Sequence, residues 1–336
     1  MYQDEKLHVF LDKEVVLWDI EDMRHIVFFH SEDLDGECSA AIAEKFFIEN
    51  KQEFELRPYR HYIPLPMERV TLEDRLYFLD IVSDPYSQMQ ELLDAGYDIT
   101  ICDHHASFLK LGVHLKTKGL CDTAFSACEL TWKYFFGEEP LPMFIHLLGR
   151  YDIHDDSNMA MWNSSIDPFQ YGMRTYPTNP LGEHYIFNKL FMDHEAWEVD
   201  DVVSEVTHVG EAILKYQKLQ YMSDAENSTF EAIIDGWYDW KFLCMNTTAR
   251  TSLALESKYD PEKHDGMFFF SYDGLKWMGS FRTTKDIDLT VIARAFGGGG
   301  HKQACGFQFQ NFKFGGEFLF LTPMSWVTLV ESKKTP

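Results

Sequence analysis

In the first half of the chain, short apolar runs alternate with longer amphipathic stretches. Ile26–Phe29, Leu76–Leu79 and Ile99–Cys102 are each about as long as a buried strand. Good helix formers follow them, predicting helices over 37–49, 86–94 and 124–136. Pro140 and Pro142 open one more helical piece, Met143–Leu148, followed by a loop that carries Asp152. Strands alternating with helices predict a doubly wound, mostly parallel α/β sheet. Val15–Trp18 reads as an edge strand within an otherwise mixed, acidic start.

The pattern changes twice after residue 192. Between Asp193 and Glu211 there are seven acidic residues and no Lys or Arg, while Val202, Val206, Val209, Ile213 and Tyr216 recur at helical spacing. This predicts an amphipathic linker helix with a solvated acidic face. After Ser223 the chain becomes aromatic and β-rich: Phe242–Met245, Met267–Phe270 and Trp277–Phe281 read as strands, with Asp273-Gly274 as a hairpin turn. A helix over 288–296 leads into Gly297–Gly300. The organisation expected is a catalytic domain over 1–192, a linker helix over 193–222 and a smaller α/β domain over 223–336.

Each apolar run of the first domain ends in polar side chains that bind metals. Ile26–Phe29 leads to His30, Asp33 and Asp35, Leu76–Leu79 to Asp80, and Ile99–Cys102 to Asp103, His104 and His105. In an open parallel sheet the carboxyl ends of the strands line one crevice, so these residues are expected on one rim. Carboxylates with a minority of imidazoles suit Mn²⁺ or Mg²⁺ before Zn²⁺. Repulsion among so many carboxylates calls for bound cations. The glycine run lets backbone N–H groups of Gly298, Gly299 and Gly300 approach an anion closely. His301 and Arg282 would add charge-assisted hydrogen bonds to a phosphate. Tyr171 and Phe108 are candidates to stack a base, with core packing as their default role.

These motifs, in this order, resemble the DHH phosphoesterases, whose name is the triplet standing here as Asp103-His104-His105. His30-Ser-Glu-Asp33-Leu-Asp35-Gly36 resembles the first motif of that family, Asp80 the second and Asp152 in Gly149–Ile153 the fourth. Gly297–Phe307 resembles the signature of the DHH-associated domain, and the resemblance is nearest to the oligoribonuclease-like branch. It implies two divalent ions, Mn²⁺ first with Mg²⁺ or Co²⁺ as alternatives. His30, Asp33 and Asp80 would hold one, and Asp35, Asp80, His104 and Asp152 the other, with Asp80 bridging. Asp103 would orient a ligating histidine, and His105 would donate to the phosphate. The activity implied is hydrolysis of short oligonucleotides or small nucleotides by a metal-bridging hydroxide, in a cleft between the domains. Cyclic-dinucleotide and polyphosphate or pyrophosphate hydrolysis are alternatives, as is a nucleotide-binding regulator without turnover.

Composition narrows the class of partner. A hydrophobic content of 45% fits a globular chain, and no apolar stretch approaches a membrane span. With no signal-peptide pattern, the expectation is a cytoplasmic protein without a membrane partner. The six cysteines form no CxxC pair and are expected reduced and buried. A net charge of −24 argues against gripping long duplex nucleic acid and leaves short anionic substrates open. The oligomeric state is left open, a homodimer included.

Overall fold

The computed structural model describes residues 23–323, apart from 62, 107, 110–114, 183–185, 192–195, 238, 250 and 316–317. The predicted strand over residues 15–18 lies outside them. The chain divides into two compact units, 1–214 and 215–336.

In the first unit, β1 (His25–His30) is central because its four apolar residues, Ile26 to Phe29, are wholly buried. It pairs in parallel with β2 (Phe54–Tyr59) on one side and β3 (Arg75–Leu79) on the other. β4 (Asp98–Asp103) and β5 (Lys118–Cys121) complete a parallel sheet of order β2-β1-β3-β4-β5. Alternate side chains feed separate cores on its two faces. Ile26, Phe28, Phe78 and Ile101 share one, while Val27, Phe29, Leu79 and Cys102 share the other with Ala43 and Phe47 of α1 (Leu34–Glu49). A sheet covered on both faces explains why its inner strands are apolar throughout rather than alternating. The two edge strands were not anticipated: Phe54-Glu-Leu-Arg-Pro-Tyr59 and Lys118-Gly-Leu-Cys121 carry too few apolar residues to stand out. Pro58, without an N–H to donate, is tolerated at an edge.

The caps decide where the helices start. Asp33 accepts a hydrogen bond from the Gly36 N–H at 3.1 Å, so α1 begins at Leu34, three residues before the expected start. Gly36 is required by close approach, since a Cβ there would lie 2.1 Å from the carbonyl oxygen of His30. α2 spans Ser87–Asp94, and α3 (Ala127–Phe136) starts three residues later than expected, behind a capping box of Ser126 and Glu129. α4 runs Met143–Asp152, so Asp152 sits in its last turn and not in a loop.

α5 (Asp167–Met173) and α6 (Ile186–Phe191) precede the long helix α7 (Ala196–Ser228), which passes from one unit into the other. Helix persists six residues beyond the predicted linker, and the boundary between units falls within it, after Leu214. α7 is buried near its two ends and exposed between them: Val203 and Val206 are buried, Tyr216 is 64% exposed, and Ala225 is wholly buried in a core of the second unit. What seats α7 is a backbone crossing over α5 that the apolar pattern did not reveal. A Cβ on Gly172 would lie 1.9 Å from the Val206 carbonyl oxygen, and one on Gly210 would lie 1.7 Å from that of Pro168.

In the second unit, β6 (Thr229–Ile234), β7 (Lys241–Asn246), β8 (Gly266–Tyr272), β9 (Trp277–Arg282), β10 (Gly299–His301), β11 (Ala304–Gly315) and β12 (Phe318–Pro323) form one mixed sheet. Its order is β10-β11-β12-β6-β7-β8-β9, and β9 also pairs with the first half of β11, so the sheet closes on itself. β8 and β9 form the predicted hairpin: Asp273 accepts from the N–H groups of Leu275 and Lys276 at 2.9 Å each, and Gly274 takes φ +97°. Phe268, Phe281, Phe307 and Phe309 fill the core with Ile292 of α8 (Thr290–Ala295). All six cysteines are buried and free, and no helix among the described residues is long and apolar enough to cross a membrane.

Replacing Gly210 by Ala should force α7 away from α5. The expected cost is roughly 1–3 kcal/mol, as for an overpacked core. It should appear as a lower midpoint in thermal melts followed by circular dichroism, and an unchanged midpoint would show that the crossing is not tight.

Candidate metal centre

The rim forms where the order of the sheet reverses, between β1 and β3, which is the position where open α/β sheets bind ligands. β1 ends at His30, and the next turn supplies Asp33 as cap and Asp35 in the first turn of α1. Asp80 follows β3 with φ +59°, a left-handed conformation rare for a residue with a Cβ, and its N–H donates to the Cys102 carbonyl oxygen at 2.9 Å. Such backbone conformations cluster at functional sites. Asp103 ends β4, with His104 and His105 directly beyond, and α4 adds Asp152.

Two groups of ligand type meet around Asp80. His30 Nδ1 is 2.8 Å from Asp33 Oδ2 and 3.3 Å from Asp80 Oδ2. On the other side His104 Nε2 lies 3.1 Å from Asp152 Oδ2, 3.4 Å from Asp80 Oδ1 and 3.7 Å from Asp35 Oδ2. In each of the sets His30–Asp33–Asp80, Asp35–His104–Asp152 and Asp80–His104–His105, the possible ligand atoms lie within 4.8 Å of one another. Asp80 and His104 each belong to two of them.

Asp35 and Asp80 are 2% and 1% exposed, so each carboxylate must be compensated locally. Asp35 is: its two oxygens accept from the N–H groups of Ala127 and Cys128, at 2.8 Å each, at the start of α3. Asp80 Oδ1, by contrast, is buried without a hydrogen-bond donor among the described residues. Burial and the neighbouring charge of Asp35 push the Asp80 carboxyl well above the usual range. Burial, then Asp35, raise Asp152 to about 8. Burial opposes a charge on His30, but its hydrogen bonds to Asp33 and Asp80 outweigh that and hold the ring near 10. An orphaned, buried carboxylate oxygen between imidazoles and further carboxylates suits a hard or intermediate divalent cation. The residues present therefore fit such an ion.

The structure brings together His30, Asp33, Asp35, Asp80, Asp103, His104, His105 and Asp152, all named from the sequence. Asp103 bonds His105, through Nδ1 at 2.8 Å and the backbone N–H at 2.9 Å. That hydrogen bond raises the His105 pKa. Phe108, 4% exposed and packed in a core, offers no face to a base. Sequence reading missed the Ala127 and Cys128 amides, although the Ser126-x-x-Glu129 capping box marks that helix start.

The second unit holds Arg282, Gly298, Gly299, Gly300 and His301. The glycine run is not an open loop, because Gly299–His301 forms edge strand β10, paired with Ala304–Gly306. Part of its N–H groups is thus turned toward the ladder. The glycines serve close approach: a Cβ on Gly298 would lie 2.1 Å from the Gly306 carbonyl oxygen, and Gly300 takes φ +132°. Ala304 pairs with Arg282 on one side and His301 on the other, which places all three on one face of the sheet. Arg282 Nη1 donates to Ser280 Oγ at 3.1 Å and to the Phe281 carbonyl oxygen at 2.9 Å.

Residues 246–319 match the DHHA1 domain family. Among curated proteins, the chain is 26% identical over 317 residues to uncharacterized protein R106 of Acanthamoeba polyphaga mimivirus, covering 87% of this chain and 69% of that protein. In shape it is similar to the DHH domain of a member of a family of ribosomal proteins (TM-score 0.49, 11% identity, 86% of this chain and 83% of that one). It is also similar to manganese-bound RecJ of Thermus thermophilus (0.44, 17%, 84% and 49%) and to the pGpG-specific phosphodiesterase PggH of Vibrio cholerae (0.43, 10%, 85% and 93%).

Two of these groups set a pH dependence of stability in protein treated with EDTA. Asp152, raised to about 8 from an unfolded value of ~3.9, is most easily ionised in the unfolded chain, so stability falls as pH rises from about 4 to 8. His30, raised to about 10 from ~6.5, contributes stability that is full below about 6.5 and lost toward 10. Both signs agree: the melting midpoint should fall from pH 5 to pH 9, and Asp152→Asn should flatten the lower part of that slope. A midpoint that rises over this range would contradict the assignment.

Proposed function

We propose that this chain, which carries the DHHA1 domain of the DHH superfamily at residues 246–319, is a divalent-metal-dependent phosphodiesterase acting on short oligonucleotides or small nucleotides. The observation that carries the proposal is Asp80: a buried carboxylate with an orphaned oxygen, on a left-handed backbone, between two histidine–aspartate groups. His30, Asp33 and Asp80 would hold one ion, and Asp35, Asp80, His104 and Asp152 a second, with Mn²⁺ the best match to the donor set. When bound, such ions would activate a water at neutral pH and stabilise charge on the phosphoryl oxygens.

The remaining residues bind and orient. Asp103 fixes the His105 ring through Nδ1, and the raised pKa of that ring favours the cation, whose Nε2–H donates to a phosphate oxygen. In the second unit, Arg282 and His301 flank Ala304 on one sheet face, roughly 9–10 Å apart across two strand spacings. They would take a phosphate without taking part in the chemistry. A net charge of −24 opposes long polyanions, since each phosphate beyond these contacts meets a negative surface within a Debye length of ~8 Å.

The test is release of mononucleotides from a labelled dinucleotide with Mn²⁺ present. Asp80→Asn should lower turnover by two or more orders of magnitude while the protein stays folded, because both ion sites lose a shared ligand. Near-normal turnover of that variant at limiting Mn²⁺ would remove the dinuclear reading. Binding of nucleotide by the wild-type protein without any release would favour a regulator instead.

Chain length provides a separate measurement. With few phosphate contacts available, efficiency should peak at roughly two to five nucleotides, and raising salt should narrow the gap to longer strands. Faster cleavage of a long single strand than of a dinucleotide, at low and high salt alike, would replace the short-substrate reading by a processive one.

A further inference from the structure

One partly buried ion pair joins the two helices that support the Asp35–His104–Asp152 group. Glu129, in the first turn of α3, is 5% exposed. Its Oε2 accepts from the Ser126 N–H at 3.1 Å and from Arg150 Nη2, while Oε1 faces His146 Nδ1 at 3.4 Å. Ser126 Oγ accepts in return from the Glu129 N–H at 3.4 Å. The next two N–H groups after that cap, of Ala127 and Cys128, are the donors that hold Asp35. Glu129 thus fixes the helix end that cradles one carboxylate.

Arg150 belongs to the other helix, in the same last turn of α4 as Asp152. Besides Glu129 it bonds Asp155 Oδ2 at 3.2 Å and the Ala124 carbonyl oxygen at 3.4 Å, just before α3. The two helices meet closely here, for a Cβ on Gly149 would lie 2.6 Å from Ser126 Oγ and 2.7 Å from Glu129 Cδ. These contacts run to α3, α4 and their flanking residues, and not to His30, Asp33 or Asp80.

An ion pair drawn largely out of water is a weak source of stability, because desolvation offsets most of the attraction. What this one does supply is geometry. It ties the amide cradle of Asp35 to the helix of Asp152, and these carboxylates face the same His104 Nε2, at 3.7 and 3.1 Å. We propose that Glu129 and Arg150 are positioning residues that set the spacing of Asp35 and Asp152, and thereby the affinity of the divalent-cation site these form with His104. The inference rests on the metal reading above and goes beyond it by separating the two sites: the pair should matter for one and leave the His30–Asp33–Asp80 site alone.

The experiment titrates EDTA-treated full-length protein with Mn²⁺, following free Mn²⁺ by electron paramagnetic resonance, with thermal melts alongside. Wild type is compared with Glu129→Gln, Arg150→Lys and Arg150→Met. Gln can keep the capping box while removing the charge. Lys keeps the charge but not the planar fork. Expected are two bound ions in wild type, and in Glu129→Gln and Arg150→Met a 10–100-fold weakening of one site only, as when a partner of a metal ligand is lost. Arg150→Lys should recover part of that loss. If Arg150→Met fails to fold, the other two variants decide. Equal weakening of both sites, or unchanged binding in a folded Glu129→Gln, overturns the positioning role. A wild-type protein that binds no Mn²⁺ overturns the metal reading itself, which keeps the two failures distinct.

Discussion

A carboxylate buried at the reversal point of a parallel sheet is the constraint on which the first unit depends. Asp80 is 1% exposed, carries a buried oxygen with no donor among the described residues, and sits among Asp33, Asp35 and Asp152. An isolated carboxylate in such a place is costly, and further carboxylates raise the cost. The surroundings answer it in two ways. Histidines approach from β1 and from the end of β4, and the start of α3 turns two N–H groups on Asp35. What these contacts do not compensate is the uncapped oxygen of Asp80, and it is this remainder that the proposed divalent cation would meet.

The sheet makes this concentration feasible. Strands buried on both faces leave only their ends for polar chemistry, and a parallel arrangement puts all the carboxyl ends on one side. Short apolar strands thus bring side chains from positions 30, 80 and 104 together. Gly36 lets the first helix start against the backbone of His30, so that Asp33 and Asp35 join them from the same turn.

The second unit solves a different problem. Its sheet closes on itself around a phenylalanine core, and β11 pairs with three strands, so its register fixes what lies on either side of Ala304. Arg282 and His301, 19 positions apart in sequence, come to share a face because each pairs with that one residue. Gly298 and Gly300, before His301, allow β10 to lie against β11 where side chains would collide, which is a packing role.

Much of this was legible from the residues alone. Ile26–Phe29, Leu76–Leu79 and Ile99–Cys102 are apolar enough to declare themselves as inner strands, and the acidic and imidazole groups directly after them declare the rim, because strand ends and polar ligands are both local features. The Asp273-Gly274 turn is local in the same sense. What lay beyond reach depended on partners distant in the chain. Edge strands such as Phe54–Tyr59 have weak patterns, since their pairing on one side defines them. The placement of Asp152 in a helical turn, the bonding of Asp103 to His105, and the α5–α7 crossing at Gly172 and Gly210 each follow from three-dimensional proximity. So does the link from Glu129 to Arg150, whose parts read as a capping box and a helix-end cation. Only tertiary structure joins them, because hydrogen bonds and close packing are decided by distance in space, on which apolar periodicity carries no information.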